Sequence, residues 1–130
     1  MAASSSTDFG VLIVEDDFLV AMDLENALSD AGINVVGVAA SASEAIALAN
    51  LHAPSLVLMD IRLIGTSDGI DAALEIYRAH GIRSVFTSAH SDEDSRRRAA
   101  PAHPFGWIEK PYAVNTIISF IRNLQGVASP

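Results

Sequence analysis

Short aliphatic runs that stop abruptly on acidic or hydroxyl residues, each followed by a helical stripe, constrain this chain more than any other feature. Gly10 to Val14 is such a run and ends on Glu15, Asp16 and Asp17. An uninterrupted β-branched and aliphatic run is the pattern of a strand buried on both faces. Phe18, Leu19, Met22, Leu24, Ala27 and Leu28 then recur at helical spacing up to Gly32, which suits a helix end. A second strand is expected over Ile33 to Ala39. Ser43 and Glu44 open a short Ala-rich helix that stops near Pro54, and Ser55 to Met59 form a third strand closing on Asp60. The loop from Ile61 to Asp68 leads to a stripe of Ile70, Ala73, Leu74 and Tyr77 ending before Gly81. Ser84 to Ser88 is the fourth strand and Asp92 to Ala100 a polar helix. Pro101 and Pro104 break the chain, so helix four is expected to be short or mobile. Trp107 and Ile108 belong to a fifth strand, and Val114 to Leu124 is the last helix.

Five β runs alternating with five helices predict an α/β fold, a doubly wound parallel sheet covered on both faces, because parallel neighbours need crossover connections. Half of the 130 residues are hydrophobic, enough for one core and too few residues for two ordinary domains. Residues 9–125 are expected to form the domain, with residues 1–8 a disordered N-terminal tail and residues 126–130 a C-terminal tail. A net charge of -8 argues against nonspecific attraction to nucleic acid or to an anionic membrane. No segment reaches the roughly 20 apolar residues of a membrane span, and residues 1–8 lack the features of an export signal. The absence of cysteine removes disulfide and thiolate-metal chemistry. A cytoplasmic location is the resulting expectation.

In doubly wound sheets ligands sit beyond the carboxyl ends of the strands, where the winding reverses. There this chain carries Glu15 and Asp16 after strand one, Asp60 after strand three, Ser88 after strand four, and Lys110 after strand five. Clustered carboxylates are costly to ionise together unless a hard cation joins them, and an open oxygen site suits Mg²⁺. Such an ion, a lysine and a hydroxyl would together neutralise a phosphoryl group passing to a carboxylate oxygen. Taken singly, each residue has a blander explanation. Acids favour a helix N-terminus, Asp60 could cap its loop, and a lone serine or lysine is usually surface decoration. Their joint placement favours the chemical explanation. Lys110 is the single lysine of the chain.

The segments VLIVEDD, LVLMDIRL, VFTSAH and WIEKPY resemble the four sequence blocks of bacterial response-regulator receiver domains (CheY-like), over about residues 10 to 124. The resemblance implies a flavodoxin-like sheet of strand order 2-1-3-4-5. It also implies that Asp60 accepts phosphate from a histidine kinase or a histidine phosphotransfer protein, in a reaction that needs Mg²⁺ or Mn²⁺. By the same matching Asp16, Asp60 and the Arg62 backbone carbonyl hold the metal, with Glu15 acting mainly through water. Lys110, the Ser88 hydroxyl and the Ala89 backbone N–H would hold the phosphoryl group. Trp107 stands at the aromatic switch position, where most relatives carry Tyr or Phe, with plain core packing as the alternative. The implied output is a changed helix 4, strand 5 and helix 5 surface that binds a downstream protein. Arg62 and His90, two residues beyond the acceptor and the hydroxyl, would tune hydrolysis of the acyl phosphate. Asp17 is expected to be an exposed neighbour, and Arg96, Arg97 and Arg98 a solvated helix face. His52, His80 and His103 show no ligand spacing.

The loop after Asp60 lacks the family's usual proline and runs one residue longer, which bears on kinase fit. A phosphatase of the haloacid-dehalogenase type would need a second Asp where Arg62 stands, and a receiver-like module that is never phosphorylated would fail to label with acetyl phosphate. No output domain is read in the chain, so a stand-alone receiver and a segment of a longer protein, such as a hybrid kinase, both remain open, as does phosphorylation-dependent dimerisation.

Overall fold

The computed structural model describes residues 9–63, 68–89 and 93–128. Its order is β1 (Gly10–Val14), α1 (Phe18–Asp30), β2 (Asn34–Ala39), α2 (Ala42–His52), β3 (Leu56–Asp60), α3 (Gly69–His80), β4 (Arg83–Ser88), α4 (Glu93–Ala99), β5 (Gly106–Glu109) and α5 (Val114–Ala128), with a 3-10 turn at Ala100–Ala102. All five strands run parallel in the order β2-β1-β3-β4-β5. This is the doubly wound, flavodoxin-like arrangement, and its winding reverses between β1 and β3.

The period-2 alternation of the strands divides the core in two. Leu12, Val14, Val57, Met59 and Phe86 point to one face, where the alanines of α2 and Ile70, Ala73 and Ile76 of α3 cover them. Val11, Ile13, Leu56, Leu58 and Val85 point to the other, under Leu24 and Leu28 of α1 and Ile117 and Ile121 of α5. β1 and β3 are buried at every position. Polar residues that end these strands are therefore held by a backbone with little freedom, at the edge of a close-packed interior.

Several element ends differ from expectation for identifiable reasons. Ile33 lies outside β2 because its N–H closes α1 by donating to the Leu28 carbonyl at 2.9 Å, next to Gly32 in the left-handed region at φ 82. Ser55 is outside β3, yet its N–H donates to the Gly10 carbonyl at 2.7 Å and its hydroxyl accepts from the Gly10 N–H at 3.0 Å. β4 starts one residue early, at Arg83. α2 starts at Ala42 because Ser41 is its cap, accepting from the Glu44 N–H, while the Glu44 carboxylate accepts from the Ala40 N–H. α4 ends at Ala99 and passes into the 3-10 turn, in whose first positions Pro101 sits. α5 runs on to Ala128, past the expected end at Leu124.

Asp17 is exposed as expected but has a structural task, since its carboxylate accepts from the N–H groups of Leu19 and Val20 and so caps α1. Asp17→Ala should lower stability by about 1 kcal/mol, measured as a shift of the urea midpoint with an unchanged slope.

Candidate functional site

The carboxyl ends of β1, β3, β4 and β5 meet at one rim. The first residue past β1 is Glu15, whose N–H continues the ladder to the Ala39 carbonyl at 2.9 Å. Asp60 is the last residue of β3 and pairs with Thr87 of β4, one residue before Ser88. Lys110 follows β5, and its N–H donates to the Ser88 carbonyl at 2.8 Å. The Lys110–Pro111 peptide bond is cis. The side chains close the group. Lys110 Nζ lies 3.1 Å from Asp60 Oδ2 and 3.5 Å from Glu15 Oε1. Oxygens of Glu15, Asp16 and Asp60 lie within 4.8 Å of one another.

Burial sets the electrostatics. Glu15 is 4% exposed and Asp60 3% exposed. Asp16 is half-buried and Arg62 exposed. The backbone donates where it can: Asp17 N–H to Glu15 Oε2 at 3.0 Å, and Arg62 N–H to Asp60 Oδ1 at 3.1 Å. Burial pushes the Glu15 carboxyl up to about 7, with the Asp60 charge and a hydrogen bond with Asp16 adding to the rise against the Asp17 N–H and Lys110. Burial works against the Lys110 ammonium, but the hydrogen bond and charge of Asp60, together with Glu15, leave its pKa above the ordinary lysine value. Lys110 is therefore charged throughout the neutral range. Three carboxylates facing one ammonium leave the rim with excess negative charge and with oxygen donors only. That donor set fits a hard divalent cation of the Mg²⁺ or Mn²⁺ type, and Glu15, Asp16 and Asp60 are the side chains that could hold it.

The raised Glu15 pKa has a consequence in metal-free protein. The folded state holds the Glu15 proton more tightly than the unfolded chain, so the native state binds more protons between pH 4.5 and about 7. This contribution is complete below pH 4.5 and is lost as pH rises through about 7. In chelator, urea denaturation should show stability falling across that window by on the order of 2 kcal/mol. Glu15→Gln should remove the slope.

The loop that leaves Asp60 is pinned by the start of α3. The Gly69 N–H donates to the Ile61 carbonyl at 2.8 Å, and a Cβ on Gly69 would stand 2.0 Å from the Asp60 carbonyl oxygen. Asp68 caps α3 in a reciprocal pair with Asp71. The sequence signal for this cap is slight, an acid followed three residues later by another, and Gly69 carries none. Trp107 is half-buried and stacks on Phe86, with ring centroids 4.7 Å apart, and the Arg96 guanidinium lies 4.9 Å from the Trp107 ring centre. The arginine run is exposed as expected, and within it Arg97 pairs with Asp94 and Arg98 reaches Asp68 and Asp71. Ala89 is exposed beside Ser88, while His90 lies outside the described residues. His103 packs against Tyr77, and His80 contacts Asn50, both away from the rim.

Comparison with known proteins identifies the family and the fold. The family model of the response regulator receiver domain matches residues 11–122. The transcriptional regulatory protein PdtaR of Mycobacterium tuberculosis is 40% identical over 111 residues, covering 85% of this chain and 54% of that protein. The phyllosphere-induced regulator PhyR of Methylorubrum extorquens is 34% identical over 121 residues, covering 92% of this chain and 45% of that protein. The chain thus spans about half the length of these curated relatives. The signal receiver domain of a modulated diguanylate cyclase from Desulfovibrio desulfuricans G20 is similar with a TM-score of 0.80 at 32% identity, covering 92% of this chain and 98% of that one. A two-component response regulator from Clostridium difficile reaches a TM-score of 0.85 at 18% identity over 94% of this chain and 99% of its own, a likeness of fold alone. Among the described residues no helix is long and apolar enough to cross a membrane. With the strand order and the family model in agreement over nearly the whole chain, this protein belongs to the receiver domain family of two-component response regulators.

Proposed function

We propose that Asp60 accepts a phosphoryl group from a phosphohistidine donor, a sensor histidine kinase or a histidine phosphotransfer protein, and that the aspartyl phosphate switches the α4, β5 and α5 surface for a downstream protein partner. The observation that carries this is the contact of the Lys110 ammonium with both Asp60 Oδ2 and Glu15 Oε1 at the end of a fully buried strand. It holds a carboxylate nucleophile in place beside a permanent positive charge.

An Asp60 carboxylate oxygen forms the new bond to phosphorus as the bond from phosphorus to the donor imidazole nitrogen breaks, and the imidazole leaves with the bonding pair. Transfer of this kind is governed by positioning and charge neutralisation. Lys110 supplies part of the neutralisation by following the phosphoryl oxygens. The Ser88 hydroxyl, at the end of the strand beside Asp60, and the Ala89 N–H that follows it donate to another phosphoryl oxygen. Glu15, Asp16, Asp60 and the Arg62 carbonyl would hold Mg²⁺ or Mn²⁺, Glu15 chiefly through water, and such an ion would supply positive charge for the transferring group. Hydrolysis returns Asp60 to its resting state, and the identities of Arg62 and His90 tune its lifetime. Trp107 belongs to the surface that responds, packed between Phe86 and Arg96. The protein is on this account a cytoplasmic switch that catalyses its own phosphorylation and dephosphorylation, not an enzyme acting on a separate substrate.

Acetyl phosphate with Mg²⁺ should label the protein, read as a retarded band on a phosphate-affinity gel, and chelation should reduce labelling by at least about 100-fold. Equal labelling with and without chelator would overturn the assignment of the acidic rim to a metal.

A further inference from the structure

The seven residues of α4 (Glu93–Ala99) send consecutive arginines in three directions. Arg97 pairs with Asp94 inside the helix itself, at 3.2 Å. Arg96 turns toward β5, its guanidinium 4.9 Å from the centre of the Trp107 ring. Arg98 crosses to α3. Its Nη1 is 3.2 Å from Asp68 Oδ2, and its Nη2 is 3.4 Å from both Asp68 Oδ1 and Asp71 Oδ1. These are the two acids of the capping box that starts α3. That start cannot shift independently of the acceptor strand, because the Gly69 N–H holds the Ile61 carbonyl and no space separates Gly69 from the Asp60 carbonyl oxygen. A continuous path of contacts therefore runs from the backbone of Asp60 through Gly69 and Asp68 to Arg98, and along α4 to Arg96 and Trp107. A surface cleft of about 350 Å³ lies beside these contacts, lined by Ile61, Leu63, Ser88, Ser95 and Arg98 among others.

We propose that Arg98 is a latch: its forked contact with Asp68 and Asp71 holds α4 against the start of α3 in the unmodified protein, and release of that contact frees α4 and Trp107 together. The trigger, though not the latch, rests on the reading of Asp60 as phosphoryl acceptor. Arg98, Asp68 and Asp71 are all partly exposed, and ion pairs in such places are weak and screened by salt, as suits a contact that must break and re-form. A forked guanidinium contact also depends on alignment, so a small displacement at the start of α3 costs more than one prong. Coupling between two ends of such a path is reciprocal. Removing the latch must bias α4 the same way that modification of Asp60 does.

Arg98→Met keeps the apolar stem and removes the fork, Arg98→Lys keeps the charge alone, and Arg97→Met is the control, since its partner lies within α4. Trp107 is the only tryptophan of the chain and reports by its emission. Without any phosphate donor, Arg98→Met should speed amide hydrogen exchange in α4 by about threefold to tenfold and shift Trp107 emission toward that of the parent protein with Mg²⁺ and beryllofluoride, with Arg98→Lys intermediate and Arg97→Met unchanged. A folded Arg98→Met protein whose α4 exchange and Trp107 emission both match the parent would overturn the latch. A parent protein indifferent to beryllofluoride would instead defeat the acceptor reading, and the exchange comparison would still decide the latch.

Discussion

Asp60→Asn protein should stay unlabelled by acetyl phosphate while keeping the circular-dichroism spectrum of the parent. The exchange is nearly isosteric, and the Asn carbonyl can still accept from the Arg62 N–H as Asp60 Oδ1 does at 3.1 Å. The carboxylate that would bond phosphorus is gone, and an amide is no substitute as a nucleophile. Stability should not suffer. Asp60 is 3% exposed, and its charge is one of the causes that raise the Glu15 pKa, so the substitution relieves a buried repulsion. Lys110 keeps Glu15 at 3.5 Å as its partner. In chelator the variant should equal the parent or exceed it by about 1 kcal/mol near neutral pH, and Mg²⁺ should stabilise it less than the parent. Urea denaturation with and without Mg²⁺ measures both. A variant that still labels would remove Asp60 from the chemistry.

Gly69→Ala should be the most damaging single-methyl change at the site. The added Cβ would sit 2.0 Å from the Asp60 carbonyl oxygen, 2.9 Å from the Asp60 carbonyl carbon and 3.0 Å from the Ile61 Cα. All three are backbone atoms, so no rotamer change makes room. The strand end cannot yield cheaply either, because the Ile61 N–H is bonded to the Thr87 carbonyl and the Ile61 carbonyl to the Gly69 N–H. Relief requires moving the start of α3 away from the acceptor, at a cost of about 2 to 4 kcal/mol. The acceptor shifts with it, and a displacement of about 1 Å can slow a positioned reaction by about 100-fold. Gly126→Ala is the matched control, since a Cβ there meets nothing within 4 Å and α5 should gain stability. Equal labelling rates and urea midpoints for Gly69→Ala and the parent would show that the close approach can relax freely.

The parts of this architecture that could be read from the chain are those in which one residue's neighbours in sequence determine its place. Glu15 and Asp60 each follow a run of apolar residues, the mark of a buried strand ending at the rim, and Lys110 follows the short strand that holds Trp107 and Ile108. Once the strand order was expected to be 2-1-3-4-5, those residues had to converge. Element ends were harder, because the ladder and the helix caps compete for the same N–H groups. Ile33 looks like a strand residue by side chain, yet its N–H is spent on the last turn of α1. Asp17 is the exposed neighbour that its position suggests, yet it is also the α1 cap. α5 continues through Gly126, where intrinsic propensity argues for a stop. The tie between Asp68 and Arg98 had no signature at all, being thirty residues apart with nothing periodic to connect them. The partners of Trp107 were equally out of reach, since Phe86 and Arg96 arrive from β4 and α4.

The central claim is that one carboxylate, singled out by its neighbours at the rim, receives the phosphoryl group. Borohydride reduction of acetyl-phosphate-labelled protein, followed by peptide mapping, tests it directly because only an acyl phosphate is reduced to the alcohol. Conversion at Asp60 alone, dependent on Mg²⁺, is the predicted result. Conversion at Glu15, Asp16 or Asp17 instead, or none in a protein that is folded and loaded with Mg²⁺, would contradict it.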